Sequence, residues 1–265
     1  MKFNICRKRP PSAPQKFLYK TRLGFGLSIQ GTGESVGQRS LDNGESTSAL
    51  KFASDDWKSL IKTGSGYWRY VPVKGGLRFI TWYDYSVRFG APGKLFDRLC
   101  FRPLIGWATA WSFDALRLWA EQDQPGNVSV LLSMIHAIAR LSIAAVWLWH
   151  GLVPKLLFSH SDEHTMLREA GVSTQLLPWI GVAEILFAIT MIASWRFRSV
   201  LIANAILMFV TAVGVAIKSP EFIVAAFNPV TLNGSVMALS IIGFLAAHTL
   251  PSASRCFRTK PQEES

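Results

Sequence analysis

The sequence predicts an α+β chain in two parts: an antiparallel sheet followed by one long helix, and then an all-α bundle of four membrane-spanning helices. Three observations support this prediction. Residues 17–87 are rich in Gly and β-forming side chains, residues 94–122 carry apolar side chains at helical spacing, and residues 130–250 hold four long apolar runs. A chain of 265 residues is long enough for two modest domains.

The front half is predicted to form short antiparallel strands. The strongest hairpin signal joins residues 65–73 to 77–87 through Lys74-Gly75-Gly76, because glycine supplies the positive φ that a tight turn needs. The helix predicted over 94–122 should kink near its middle at Pro103, whose nitrogen carries no hydrogen. The earlier strands are predicted in these segments: 17–38 (two strands with a turn), 47–53 and 58–63.

Aromatic side chains are concentrated on the predicted hairpin. The simpler interpretation is that they pack the sheet. A curved sheet on a helix also leaves an apolar groove, which is a common kind of ligand pocket. The aromatic residues that could line such a cavity for a hydrophobic molecule are Tyr67, Trp68, Trp82 and Tyr83.

The back half is predicted to cross a membrane four times, since a helix of about 20 apolar residues spans the hydrocarbon core. The spans are predicted at 130–149, 175–194, 199–217 and 230–250. The chain therefore divides into an extension (1–15), a sheet-and-helix domain (16–122), a linker (123–129), a membrane domain (130–250) and a tail (251–265).

The distribution of basic residues predicts the orientation in the membrane. Lys and Arg are most frequent on the side that carries both termini, which should therefore be cytoplasmic, in the inner membrane. Residues 1–128 hold 19 Lys and Arg against 10 Asp and Glu, which suits the anionic inner leaflet of the lipid bilayer. Zinc spacing, a basic helix and RNP-type motifs are absent from the sequence, so we do not expect nucleic-acid binding.

Arg140 and Glu184 lie near the centres of the first two predicted spans. Ionised groups are costly at that depth unless they are paired or functional, so we expect the two side chains to meet. His136 lies one turn from Arg140 on the same helical face. Two interpretations stay open: an ion pair that fixes helix register, or a polar site for a proton relay, a lipid head group or a quinone.

Three further polar residues are secondary candidates for this intramembrane site: His150, Lys155 and Asn204. Lys155 has a simpler interpretation, which is that it snorkels to the membrane interface. Asn204 is most simply an interhelical hydrogen-bonding residue.

Recognisable catalytic and metal-binding motifs are missing from the sequence. It contains no Ser-His-Asp set, P-loop or zinc spacing, and its three cysteines form no C-x-x-C motif. We therefore name no catalytic residue and no metal ligand, and the sequence favours a protein that is not an enzyme.

Two sets of motifs resemble known families. Residues 150–157 (HGLVPKLL), the Asp162-Glu163 loop, and Gly181 with Glu184 resemble the DoxX-like family of four-helix membrane proteins, over roughly 130–250. Three segments of the front half resemble the SRPBCC (START-like, helix-grip) domain that is found fused to such membrane domains: 66–72 (GYWRYVP), 81–85 (TWYDY) and 101–114 (FRPLIGWATAWSFD).

The resemblances imply a fold and a choice of functions. A helix-grip domain normally opens with a strand and two short helices, whereas residue 17 already matches a later strand. The domain is therefore predicted to be incomplete at its N-terminus, with the true start upstream or the chain truncated.

The favoured function is a membrane protein whose cytoplasmic module holds a hydrophobic molecule. The alternatives are a quinone-linked redox subunit, as in the oxidoreductases that gave DoxX its name, and a small proton-coupled transporter. A bundle of this size often self-associates, so a homo-oligomer is also expected.

Overall fold

A computed structural model describes residues 16–24, 27–226 and 228–257 of the chain. The chain divides between Gly106 and Trp107 into two compact units, which we call the sheet unit and the bundle unit. This division falls inside a long helix and not at the predicted linker 123–129, so the predicted domain boundaries stay a prediction.

The sheet unit contains five antiparallel strands in the order β1-β2-β3-β4-β5, which confirms the predicted antiparallel sheet. The turn between the first two strands lies outside the described residues. Residues 58–63 do not form a separate strand, because Ile61 already begins the long strand that continues to Val73. The strands are β1 (Lys16–Gly24), β2 (Leu27–Ser40), β3 (Ser46–Ala53), β4 (Ile61–Val73) and β5 (Gly76–Val87).

The predicted β4–β5 hairpin is present. Val73 pairs with Gly76, and Gly75 between them has a φ of 84°, the left-handed conformation that glycine adopts without strain. Glycine is also needed at position 66 in β4, because a side chain there would collide with the backbone of Trp82 on β5. The two strands therefore approach closely along the hairpin.

One helical stretch follows the sheet and starts earlier than predicted. It comprises α1 (Gly90–Phe96), a π-helical turn (Asp97–Phe101) and α2 (Arg102–Gln122). The irregularity predicted at Pro103 appears as this π turn just before the proline. Asp97 joins the turn to β5, because it accepts hydrogen bonds from the Tyr85 hydroxyl at 2.7 Å and from Arg102 Nε at 3.1 Å. Burial and the hydrogen bond to Asp97 raise the pKa of Tyr85.

The bundle unit confirms the four predicted spans. Among the described residues, four segments are long and apolar enough to cross a membrane: Gly126–Leu157, Thr174–Ala193, Ser199–Lys218 and Pro229–Arg255. Their helices are α3 (Gly126–His150) with a π-helical segment (Gly151–Leu157), α5 (Leu177–Ala193), α6 (Ser199–Lys218) and α7 (Pro229–Ala246); the short α4 (Ser161–Glu169) links the first two spans.

The bundle helices are apolar on their inner and outer faces. Their inner faces form one core, made by Ile143, Ala144, Met191, Leu201, Met208 and Val236. Large apolar side chains also cover the outside of the spans, including Ile138, Leu186, Phe209 and Leu245. Such outward apolar faces are suited to lipid and not to water, so this chain is an integral membrane protein in contact with the bilayer.

A polar junction joins the C-terminal half of α2 to the segment that follows α7. Asp114 accepts hydrogen bonds from the Ser252 amide at 2.7 Å, Arg117 Nε at 2.8 Å and Arg255 Nη1 at 3.0 Å. Burial alone would raise the pKa of Asp114, but these three donors outweigh it and hold that pKa below its ordinary value. The residues before the first span and those at the end of the fourth thus meet at one end of the bundle.

Candidate functional site

Polar side chains on the inward face of the first span form three separate centres in the bundle. The first contains His136 and Arg140, the second contains Trp147, and the third contains Lys155. The apolar core, which includes Ile143 and Met191, fills the space between the helices at the level of the middle turns.

Arg140 is 0% exposed and is surrounded by oxygen acceptors. Its Nη1 donates to the Met191 carbonyl at 2.7 Å, and its Nη2 donates to the Phe197 carbonyl at 2.6 Å. Met191 lies in the last turn of α5, where carbonyls lack partners within the helix and a positive charge is favourable. Arg140 therefore caps α5 from α3 and fixes the short joint between α5 and α6.

His136 completes this first centre in one defined tautomer. Its Nδ1 lies 3.1 Å from the Gly243 carbonyl, and its Nε2 lies 3.1 Å from Arg140 Nε, which is a donor. A carbonyl can only accept, so Nδ1 carries the hydrogen and Nε2 accepts from the arginine. The neutral imidazole consequently links α7, α3 and, through Arg140, α5.

Arg140 and Glu184 do not form the predicted ion pair. Arg140 lies opposite Met191, seven residues or about 10 Å further along α5 than Glu184. The pairing was expected from span boundaries that ended the first span near residue 149. The first span instead continues through its π-helical segment to Leu157. Lys155 in this segment therefore lies beside Glu184.

Two glycines set the close approach of the helices at this end of the bundle. A side chain on Gly151 would meet the Gly181 carbonyl, and a side chain on Gly181 would meet the Gly151 carbonyl. Lys155 follows the first glycine by one turn, and Glu184 follows the second by nearly one turn. Both charged residues are therefore brought to the same level of the interface.

We call the third centre, formed by Lys155, Glu163 and Glu184, the Lys155 cluster. The Lys155 side chain is only 8% exposed, and its Nζ lies 2.9 Å from Glu163 Oε1 and 3.1 Å from Glu184 Oε2. It also donates to the His150 carbonyl at 3.4 Å. Glu184 Oε2 is buried, and its close contact is the ion pair with the Lys155 ammonium.

The Lys155 cluster is unlike a simple structural ion pair in two respects. One ammonium faces two carboxylates, so the ionised cluster carries a formal charge of −1, which a single proton or monovalent cation would cancel. Lys155 also lies in a π-helical segment, a distortion that occurs often at functional sites. Glu163 comes from α4, all of whose residues are at least partly exposed.

The middle centre is a fully bonded network that joins three spans. Trp147 Nε1 donates to Asn204 Oδ1 at 2.8 Å, and Asn204 Nδ2 donates to Ser240 Oγ at 2.7 Å. Ser240 in turn donates to the Val236 carbonyl at 2.8 Å. The predicted interhelical hydrogen bonding of Asn204 is therefore present, and its geometry fits a structural role.

The four candidate cavity aromatics of the sheet unit lie on two faces of the sheet. Tyr67 and Trp82 are cross-strand partners whose rings stack 5.9 Å apart, whereas Trp68 and Tyr83 lie on the opposite face. A groove of about 350 Å³ in the described part of the sheet unit is lined by other residues, namely Lys58, Leu60, Phe89, Pro92, Gly93 and Phe96. Within the described residues, His, Cys, Asp and Glu side chains form no group that could hold a metal ion.

Sequence comparisons relate the membrane-spanning part of this chain to known proteins. The model of the DoxX-like family matches residues 144–241, which include Lys155, Glu163, Glu184 and Asn204. The chain is 43% identical over 180 residues to the uncharacterized membrane protein YndG of Bacillus subtilis (strain 168), an alignment covering 68% of this chain and 60% of the relative. No solved structure matches the chain. The chain, which spans less than two thirds of that relative, is an integral membrane protein whose residues 144–241 are similar to the DoxX-like family.

Proposed function

We propose that the bundle unit takes up and releases a proton at the Lys155 cluster, as part of a small proton-coupled transporter. The observation that carries this proposal is the pairing of one buried lysine with two carboxylates. Buried charge inside a membrane bundle is costly, so a charge count that does not balance favours a role beyond stability.

Glu163 gives the cluster a way to open. It lies on α4, a nine-residue helix with every residue at least partly exposed, so α4 can move without disrupting the apolar core. If α4 moves away, the pair of Lys155 and Glu184 becomes accessible from this end of the bundle. The Glu163 carboxylate then no longer competes for the ammonium, and Lys155 or Glu184 can exchange a proton or contact a solute.

The apolar core favours alternating access over a continuous proton path. Ala144, Met208 and Val236 are buried in one core that packs against Trp147, and Trp147 lies between Arg140 and Lys155 on the first span. Arg140 and Lys155 are fifteen residues apart on that span, about 22 Å of helix. Protons that leave the Lys155 cluster towards Arg140 would therefore need a second arrangement of the bundle.

The proposal is tested on the full chain reconstituted in liposomes. Glu184→Gln should abolish a titrating carboxylic-acid band in infrared difference spectra and reduce the decay of an imposed pH gradient. Glu169→Gln is the matched control, since Glu169 is on α4 and exposed. A gradient that decays equally with wild type, Glu184→Gln and protein-free liposomes would contradict proton transport.

We also propose that both termini are cytoplasmic and that the Lys155 cluster faces the opposite side of an inner membrane. The Asp114–Arg255 contact supports this topology, because it brings the chain before the first span and the end of the fourth span to one end of the bundle. The excess of Lys and Arg on that side supports the cytoplasmic assignment. A reporter that works only in the cytoplasm should be active when fused after Ser265. Activity of a reporter that works only in the periplasm would refute the orientation.

A second candidate function belongs to the sheet unit, which we propose to be an SRPBCC-like (helix-grip) module that holds a hydrophobic molecule. Its groove supports this, because Leu60, Phe89 and Phe96 give it apolar walls and Lys58 gives it a positive rim. Mass spectrometry after gentle detergent extraction should detect a retained lipid or quinone that Phe96→Ser removes and Leu77→Ser leaves in place. Leu77 is also an exposed apolar residue of the sheet unit but does not line the groove.

The quinone-linked redox alternative remains a prediction of the DoxX-like resemblance. If a quinone is retained, its reduction should be measured in the wild-type protein and in Glu184→Gln. An equal rate in both proteins would remove the Lys155 cluster from any such reaction.

A further inference from the structure

The sheet unit exposes a group of large apolar side chains beside basic ones. Leu95 and Leu99 are 60% and 66% exposed, and Phe89, Phe96 and Trp57 are also exposed. Exposed lysine and arginine side chains accompany them. We call this surface the docking face, and it consists of Trp57, Lys58, Phe89, Lys94, Leu95, Phe96, Arg98 and Leu99.

The helical stretch after β5 determines which side chains reach this surface. Asp97 is buried and accepts the Tyr85 hydroxyl, so this side of the helix faces the sheet. Leu95 and Leu99 each lie two residues from Asp97 and therefore project to the opposite side, away from the sheet. Lys58, Phe89 and Phe96 border one groove, which places the loop before β4 next to this helix.

We propose that the docking face lies on the anionic lipid leaflet, with its apolar side chains inserted among the acyl chains and its basic side chains at the phosphates. Apolar residues flanked by Lys and Arg are the composition of segments that bind in the membrane interface. Each basic residue near an anionic surface adds to the attraction. Lys58, Phe89 and Phe96 also line the groove, so lipid docking and a ligand in the groove would use some of the same residues. The proposal does not depend on proton exchange at the Lys155 cluster.

Two observations favour lipid over a second copy of the chain as the occupant. The protein is already in the membrane, since the first span begins at Gly126, about two dozen residues after Leu99. Lys58, Lys94 and Arg98 would also repel their counterparts in a symmetric contact, whereas an anionic leaflet attracts them. Asp55 and Asp56 also adjoin Trp57, so the docking face carries three basic and two acidic side chains, while Asp97 is turned toward the sheet.

Depth-dependent fluorescence of the full chain in nanodiscs tests this proposal. A single cysteine is introduced as Leu99→Cys, in a background in which the native residues Cys6, Cys100 and Cys256 are replaced by serine, and carries a polarity-sensitive label. The matched control is Leu77→Cys, which is 58% exposed in wild type and lies beside the hairpin turn of β4 and β5, at the other end of the strand.

In nanodiscs of anionic lipid, the label at position 99 should be quenched by lipid-borne nitroxide and the label at position 77 should not. Reversing the charge of Lys58, Lys94 and Arg98 to Glu should lower the ratio of docked to undocked protein by roughly a hundredfold or more. Equal, water-like emission at positions 99 and 77 would overturn the proposal. Two other results would assign the docking face to a second copy and would also overturn the proposal. One is protection of the label at position 99 only when a nanodisc holds two or more copies, and the other is equal protection of that label in lipid-free detergent.

Discussion

Double-mutant cycles should distinguish the two charged centres of the bundle. Lys155 Nζ and Glu184 Oε2 are 3.1 Å apart and buried, so Lys155→Leu and Glu184→Leu share an interaction. Contacting residues of this kind are coupled by about 0.5–3 kcal/mol. Removing Lys155 alone also leaves the two carboxylates Glu163 and Glu184 without their cation, which places the expected coupling toward the upper end of that range.

Arg140→Leu combined with Glu184→Leu should behave differently. Arg140 donates to the Met191 and Phe197 carbonyls, about 10 Å along α5 from Glu184, and the two side chains share no partner among the described residues. Their effects on the free energy of unfolding should add to within about 0.5 kcal/mol. Arg140→Leu alone leaves two carbonyls without donors, at about 1–3 kcal/mol each if they stay buried.

The assay is reversible unfolding of the full chain in mixed micelles, followed by far-UV circular dichroism, with all single and double variants measured under one set of conditions. A coupling above 1 kcal/mol between Arg140 and Glu184, together with none between Lys155 and Glu184, would refute the contact pattern. Such a result would support the ion pair between Arg140 and Glu184 that the sequence predicts.

Three further changes have defined expected outcomes. Gly151→Ala should destabilise the bundle by about 1–3 kcal/mol in the same assay, because the new methyl group meets the Gly181 carbonyl, whereas Gly214→Ala, which meets nothing within 4 Å, should not. Asn204→Leu should lower stability by about 1–2 kcal/mol and change the tryptophan fluorescence, since Trp147 Nε1 loses its acceptor; unchanged emission would argue against that bond. Because the folded-state pKa of Asp114 is depressed, its stabilising effect is present above the ordinary value of 3.8 and is lost as the pH falls through the folded-state pKa. Proteolysis of the C-terminal tail should therefore increase in acid, and Asp114→Asn should show the increase already at neutral pH; equal cleavage of both proteins at neutral pH would contradict this role.

The number of spans could be predicted from sequence because it depends on the length of apolar runs, and four were found at the expected places. The register between them could not, because it depends on where each helix begins and ends. The π-helical segment Gly151–Leu157 extends the first span, and a short 3₁₀ turn at Thr174–Leu176 precedes α5. Arg140 was therefore assigned the wrong partner although its burial was expected.

The Lys155 cluster was partly visible in the sequence. A small residue one turn before a charged one occurs on both facing helices, as Gly151 before Lys155 and Gly181 before Glu184, and this pattern predicts close helices with charges at one level. Lys155 was instead expected to reach the membrane interface. Its burial depends on Glu163, which is supplied by a helix outside the spans, and apolar periodicity carries no information about such a partner.

The aromatic hairpin shows a different limit. Alternation correctly placed neighbouring residues on opposite faces, so Tyr67 and Trp68 could not both line one cavity. The groove arises where the loop before β4 meets α1, through Lys58 and Phe96, and that meeting is a tertiary contact. Strand patterns alone contain no information on which loop packs against which helix.

The π-helical geometry of Gly151–Leu157 means that the direction of Lys155 depends on how many residues the wide turn contains. One residue corresponds to about 100° of rotation and 1.5 Å of rise in an α-helix. Deleting Leu152 should therefore remove the wide turn and leave the ammonium close to its present direction, whereas inserting one residue after Leu152 should turn the ammonium away from both carboxylates. Amine-reactive labelling would detect the change, because the lysine would leave its protected position while the rest of the first span stayed in place.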